Sequence, residues 1–512
     1  MSIQDGKGGS LHEGSLGALE MDGRPEGKKN GGDDAEWTGA VNETPSCPIT
    51  NITEFACIST GFCVALCCGT PNAWSLTGGD MQDDLDLTDS QINLIASFGL
   101  LGLFFTFFAG LLYDYVGVAP MVGIGCITTT GGYFVMSFGG QDSWLLILFA
   151  FMFVGFGSGG AFTSVLGFGL KSLSKNPGFA VATVGGGMSL SMAFVTVLFL
   201  ILHSAACEGD CPSSIWRSNL RLLAVVAFCI EAPATVVLYY LDKKKKPISG
   251  LLVETELDNE STREKSNDWE LRDGGAYSSD YRQEVSGLEE DDTLLVKQPQ
   301  TFKEKLSVLQ TYFFWVLFVA YAVGVGGCLI VLVEMVDIWD TFVENTPQDR
   351  EGWIFPISLT FSLVNCFVGG ILFGWVSDVL VARGLDRTKA LSFIFIIFSL
   401  VFFALAGTLI PDVPPSSLQV IVMLLLISTG ISFGTMVNTF PTLVGENYDM
   451  ANFGLYLGLL QVGVAAATFL VPMLSTLDYN KTGSFFGVFC LFALLYLICG
   501  IVLFFVKPPS SS

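Results

Sequence analysis

Long apolar stretches, separated by short polar ones, dominate the pattern of the chain. Runs of roughly twenty residues that are nearly free of Lys, Arg, Asp and Glu recur about twelve times, and a bilayer core about 30 Å thick needs about twenty apolar residues in a helix to cross it. The pattern therefore predicts an all-α polytopic membrane protein. The predicted spans are 54–76, 91–113, 118–139, 143–170, 177–203, 217–241, 310–335, 353–377, 388–410, 417–440, 452–474 and 482–506.

Polar segments divide these twelve spans into two sets of six. We predict a disordered cytosolic tail, a first six-helix bundle, a mostly disordered acidic cytosolic linker, a second six-helix bundle and a short cytosolic tail. Their respective ranges are 1–51, 52–241, 242–307, 308–507 and 508–512.

A short motif recurs at the same place in both sets. Gly110 and Asp114 close the second span of the first set, and Gly374 and Asp378 close the second span of the other. The matched position of this Gly-x-x-x-Asp pattern indicates that the two halves are related repeats.

The short loops assign a direction to the spans. With both termini in the cytosol, most basic loop residues face the cytosol, as the positive-inside rule requires. Cys207 and Cys211 then lie on the opposite side, where an oxidising compartment would allow them to form a disulfide. Two cysteines are too few for a metal site, and we expect no bound metal.

Composition and charge exclude several classes of function. The net charge of −23 collects mainly in the N-terminal tail, in 251–292 and in the Asp-rich turn at 83–89, and such acidic runs are typical of solvated surface. The chain has no basic patch of the kind that would indicate a nucleic-acid partner. The chain lacks a nucleotide-binding Gly-x-x-x-x-Gly-Lys loop and has only two His, so we expect no catalytic residues, no cofactor and no enzyme activity.

Three stretches carry a family resemblance. The repeated motif, the two sets of six spans and the segments 87–99, 108–117 and 153–160 resemble the major facilitator superfamily, and more narrowly its nodulin-like and monocarboxylate-transporter-like members. The resemblance implies a secondary active or facilitative transporter that moves a small organic solute, of the amino-acid or monocarboxylate class, by alternating access. The alternative is a transporter-like membrane sensor or scaffold without transport activity.

The resemblance also implies a cytosolic gate. Asp114 and Asp378 match the family's gating carboxylates, and Gly110 and Gly374 match its close-packing glycines. The family pattern has a basic residue directly after the first Asp, where this chain has Tyr115. The gate could instead depend on two basic residues of the second half, Arg383 and Arg387. The alternative is that each Asp is a simple helix cap.

Uncharged polar residues near the middle of the spans are the candidates for a solute cavity, although such residues also join helices to one another. The eighth predicted span has no basic residue between positions 355 and 376 that could pair with the carboxylate of a solute. The solute is therefore neutral or zwitterionic, or backbone amides at glycine-rich breaks, 185–187 and 324–327, bind its anionic group. The six candidate cavity residues are Thr163, Ser189, Tyr321, Asn365, Asn438 and Gln461.

Glu231 is an ionisable residue near the middle of the sixth span. Because charge is costly inside a bilayer, it is either a proton-coupling site or a protonated structural residue. The expected partners are the solute, protons and the lipid bilayer, and we expect a monomer. An acidic dileucine pattern at 290–295 adds a vacuolar or lysosomal membrane to the plasma membrane as the expected location.

Overall fold

Within the described part of the chain, twelve helices are long and apolar enough to cross a membrane, so the predicted all-α fold is confirmed. In this computed structural model the described residues are 52–173, 175–206, 214–245, 302–333, 338, 347–408 and 415–508, and they contain no β-strand. The predicted N-terminal tail, most of the linker, the dileucine pattern, Cys207 and Cys211 lie outside these ranges.

The membrane helices are numbered in chain order. Their bounds are α1 Ile52–Ala73, α2 Ser90–Val116, α3 Val118–Met136, α4 Gln141–Ser172, α5 Pro177–His203, α6 Ile215–Lys243, α7 Tyr312–Val331, α8 Pro356–Ala382, α9 Arg387–Thr408, α10 Val420–Asn447, α11 Met450–Thr482 and α12 Phe486–Phe505.

Some helices continue beyond the predicted apolar span. Helix α10 was expected to end at residue 440, but it continues to Asn447. Polar residues in this last part, such as Thr442, are buried against other helices. A span predicted from apolar residues alone is shorter than the helix when polar residues at the end of the helix are covered by protein.

The helices form two bundles with the same internal plan. In α1–α6 the third helix packs along the sixth and the first along the fifth, and the corresponding pairs pack together in α7–α12. The bundles meet through the second and fifth helices of each half, because α2 packs on α11 and α8 packs on α5. This exchange of partners is what an approximate two-fold relation between the halves produces.

Backbone irregularities occur in both second helices, near the middle of their length. In α2 the helical hydrogen bonding is interrupted at Phe105 and Thr106, between the pieces Asp89–Phe104 and Phe107–Val116. In α8 the segment Asn365–Leu372 is a π-helix. The glycine-rich segments 185–187 and 324–327 are not breaks, because they lie inside continuous helices.

Candidate gate and solute site

One carboxylate of the repeated motif joins the halves at one end of the bundle, predicted to be the cytosolic end. Asp114, near the end of α2, accepts hydrogen bonds from the backbone N–H groups of Gly454 (2.9 Å) and Leu455 (2.8 Å). Both groups lie in the first turn of the helix Phe453–Thr482. First-turn N–H groups have no acceptor within their own helix, and the helix dipole favours a negative charge there. We call this contact the first lock.

The glycines explain the spacing of the motif. A Cβ atom added to Gly110 would lie 2.0 Å from the carbonyl oxygen of Gly454, so the backbones of α2 and α11 are in direct contact. Gly110 and Asp114 are one helical turn apart and therefore lie on the same face. One face of α2 thus provides both the close approach and the carboxylate.

The second copy of the motif makes the same contact in the opposite direction. Asp378, near the end of α8, accepts hydrogen bonds from the N–H groups of Gly178 (2.9 Å) and Phe179 (2.7 Å) at the start of α5. A Cβ atom on Gly374 would lie 2.6 Å from the carbonyl oxygen of Gly178. We call this contact the second lock. Each half therefore caps a helix of the other.

Only the second lock contains a buried arginine. Arg387 donates to Asp378 at 2.7 Å and to both carboxylate oxygens of Glu446 at 3.0 and 2.8 Å, and it also donates to the hydroxyl of Ser377. Its side chain is only 3% exposed. A bidentate arginine–carboxylate pair fixes geometry as well as charge. Arg383, the other predicted gate arginine, is exposed at the end of α8.

The first lock has a different environment. Tyr115 follows Asp114 and is 81% exposed, so the position that is basic in the family pattern does not face the contact. Lys171 lies over the ring of Tyr113, 5.4 Å from its centre, and it acts on Asp114 electrostatically together with Lys305. Each lock contains an equivalent pair of backbone hydrogen bonds, but the cations near the two carboxylates differ.

The six candidate cavity residues are all buried, each exposing 5% or less of its surface. The hydroxyl of Tyr321 on α7 and the side-chain amide of Gln461 on α11 are neighbours. The carbonyl oxygen of the Gln461 side chain accepts a hydrogen bond from Thr106, which belongs to the other half and lies at the break in α2. This polar contact joins the two halves near the middle of the bundle.

The remaining candidates include a second polar group where α5, α8 and α10 meet. A Cβ atom on Gly185 would lie 1.8 Å from Oδ1 of Asn438, and one on Gly434 would lie 2.5 Å from Oδ1 of Asn365. Neither of these oxygens has a hydrogen-bond partner, and the hydroxyls of Ser189 and Thr163 have none either. The structure therefore places Asn365 and Asn438 near one another, but Tyr321 and Gln461 lie on a different contact.

The comparisons with known proteins agree with this arrangement. The profile of the Major Facilitator Superfamily matches residues 58–452. The chain belongs to this superfamily. No curated protein matches the sequence, and the nodulin-like and monocarboxylate-transporter-like assignment stays a prediction.

Two solved members of the superfamily illustrate the shared fold. The proton:xylose symporter XylE bound to 6-bromo-6-deoxy-D-glucose is 13% identical, with a TM-score of 0.64 covering 89% of this chain and 96% of XylE. The transporter FucP in the outward conformation is also 13% identical, with a TM-score of 0.53 covering 88% of this chain and 98% of FucP. At this identity the likeness shows the fold alone.

Glu231 lies apart from both contacts between the halves of this superfamily member. It is fully buried in α6, neither of its carboxylate oxygens has a hydrogen-bond partner, and the nearby groups include Cys67, Cys126 and Tyr133. Helix α6 packs mainly on α3 and α1. The carboxyl group is therefore enclosed within the first bundle.

Several residues of the site were missed by the sequence analysis. Glu446 and Thr106 contact predicted site residues but belong to no motif. Gly178 and Gly454 carried a usable signal, because each is the second residue of the fifth helix of its half, in Pro177–Ala206 and Phe453–Thr482. Aligning the repeats beyond the acidic motif would have revealed both.

Hydrogen exchange tests the two locks separately. In Asp114→Ala the N–H groups of Gly454 and Leu455 lose their acceptor, and we expect them to exchange about tenfold faster or more, since a hydrogen bond to a charged group contributes roughly 1.5–3 kcal/mol. The segment around Gly178 should not change. Asp378→Ala should give the reverse pattern. Exchange that stays slow at both segments in both variants would contradict the assigned capping.

Thermal unfolding of the purified protein tests the buried arginine. Arg387→Gln leaves two carboxylates without their partner, and breaking a buried ion pair costs about 3–5 kcal/mol, so we expect the apparent melting temperature to fall by several degrees. Lys389→Gln is the matched control, because its pair with Asp386 is about half exposed and such pairs contribute roughly 0–1 kcal/mol. Equal shifts in the two variants would be inconsistent with the structure.

Proposed function

We propose that this chain is a secondary active or facilitative transporter that moves a small organic solute of the amino-acid or monocarboxylate class by alternating access. The observation that carries the proposal is the pair of reciprocal locks. Each consists of two hydrogen bonds and a glycine contact between the halves, so a rocking motion breaks a small, localised set of contacts at one end. This is the kind of interface that two rigid bundles need in order to alternate.

The neutral character of the middle of the bundle favours amino acids over monocarboxylates. The polar groups near the middle of α5, α7, α8, α10 and α11 are hydroxyls and amides, while the buried arginine belongs to the second lock. A solute with net charge would be desolvated there without a fixed counter-charge, which is costly. A neutral or zwitterionic solute avoids most of this cost.

Proton coupling through Glu231 is part of the proposal. A carboxyl group that is fully buried, with no hydrogen-bond partner for either oxygen, is far more stable when it is neutral. Because α6 packs on α1 and α3, a change in its charge would act through the packing of the first bundle rather than through direct contact with solute.

The proposed location and assembly state rest on the sequence. We propose a monomer in the plasma membrane or in a vacuolar or lysosomal membrane, with the acidic dileucine pattern at 290–295 as support for the latter. A disulfide between Cys207 and Cys211 is part of the same proposal, with both cysteines on the non-cytosolic side.

Counterflow into vesicles containing the purified protein tests the transport function. We expect saturable counterflow of at least one neutral or zwitterionic amino acid, because a carrier exchanges labelled for unlabelled solute without net flux. Vesicles without protein are the control. Absence of flux across the twenty standard amino acids and a panel of short carboxylic acids would instead favour the sensor or scaffold alternative.

The pH dependence of uptake tests the role of Glu231. Glu231→Gln fixes the side chain in a neutral form, so we expect pH-dependent uptake to be lost while exchange at constant pH is retained. Glu304→Gln, at an exposed position before α7, is the control and should behave as the parent protein. If the Glu231 variant keeps its pH dependence, the residue has a structural role.

A further inference from the structure

The amide of Gln461 is held between the two halves of the protein. Its carbonyl oxygen accepts a hydrogen bond from the hydroxyl of Thr106 in the other half, and the hydroxyl of Tyr321 is a neighbour of the same amide. The Gln461 residue is only 2% exposed. A buried carbonyl oxygen is costly to leave without a donor, so whatever separates α2 from α11 at this level must supply one.

The backbone around Thr106 departs from a regular α-helix. Thr106 lies in the interruption of α2, four residues before Gly110, and Gly370 lies in the π-helical segment of α8, four residues before Gly374. The two repeats thus depart from regular α-helix at the same level. Non-helical backbone at this depth is tolerated where protein covers it or where it lines a cavity, and π-helical segments are frequent at functional sites.

The other contact between the halves also presents acceptors without donors. The side-chain oxygens of Asn365 and Asn438 are buried and unpartnered, and so is the hydroxyl of Ser189. Most buried polar groups in proteins have a partner. The unpartnered oxygens of Asn365 and Asn438, where α5, α8 and α10 meet, are therefore acceptors that a ligand with hydrogen-bond donors could satisfy.

From these observations, and resting on the proposed transport function, we propose that the solute binds through a donor group, an ammonium or a hydroxyl, that replaces the Thr106 hydroxyl on the carbonyl oxygen of Gln461. Thr106 then has a specific task in the transport cycle. It satisfies Gln461 when the empty carrier closes, whereas the solute satisfies Gln461 when the loaded carrier closes. A carboxylic acid that carries no hydroxyl or amino group is ionised at neutral pH, offers only acceptor oxygens and is excluded.

A comparison of net uptake with exchange separates this role of Thr106 from a purely structural one. Net uptake requires the carrier to return empty, while exchange returns it loaded. In Thr106→Val the empty closed state leaves Gln461 without a donor, so net uptake should fall about tenfold or more while exchange stays close to that of the parent protein. Thr106→Ser retains the hydroxyl and should retain both rates. Gln461→Leu removes the solute's acceptor and should abolish both.

A matched set of solutes tests the donor requirement in vesicles containing the purified protein. Alanine, lactate, pyruvate and propionate share a three-carbon frame, and only the first two carry a donor. Larger amino acids are paired in the same way with their deaminated acids, and mannitol serves as an uncharged donor-rich probe. We expect counterflow of donor-bearing members only, in the parent protein and in the Thr106 variants.

The outcomes distinguish the inference from the function on which it rests. Flux of pyruvate or propionate at a rate equal to that of alanine would overturn the donor requirement and leave a carrier. Equal loss of net uptake and exchange in Thr106→Val, with a normal melting temperature, would overturn the role of Thr106. Flux of mannitol alone would refute the amino-acid class and retain the inference. No flux of any probe would refute the transport function, and the inference with it.

Discussion

The hydrogen-bonding needs of helix ends organise this protein. A helix leaves its first N–H groups without acceptors, and a low-dielectric membrane environment raises the cost of leaving them so. Here the acceptors for α11 and α5 come from carboxylates of the opposite half, Asp114 and Asp378. Each half therefore completes the other at one end of the bundle. The contact consists of a few bonds at one end, which the proposed rocking motion would break together.

The two locks are equivalent in geometry but not in electrostatics. Arg387 ties Asp378 to Glu446 in the second half, whereas the first lock has lysines that act without a bidentate pair. A repeat that diverges in this way keeps the backbone contact, which depends on glycine at both surfaces, and changes the charged groups around it. The carboxylate of the second lock is held from two sides, by backbone N–H groups and by the guanidinium of Arg387.

The middle of the bundle follows a different rule. The described polar residues near the middle of α5, α7, α8, α10 and α11 are uncharged and buried, and a hydrogen bond from Thr106 to Gln461 joins the halves. The same residue types serve as helix contacts in this structure and as solute contacts in the proposed cycle. This explains why sequence analysis could not separate residues that contact a solute from residues that only join helices: both roles call for the same uncharged polar side chains.

The sequence by itself determined the twelve spans, the repeated motif and the positions of its two carboxylates, because these depend on apolar length and on a motif one helical turn long. It also indicated that α8 has no buried cation at mid-depth. Only the tertiary structure decided the partners. It placed Arg383 at the exposed end of α8. It also made three kinds of contact between residues far apart in the chain: the capping of α5 and α11, the pairing of Arg387 with Glu446, and the hydrogen bond from Thr106 to Gln461. Such contacts depend on how helices pack in three dimensions, and periodicity within one helix does not encode that packing.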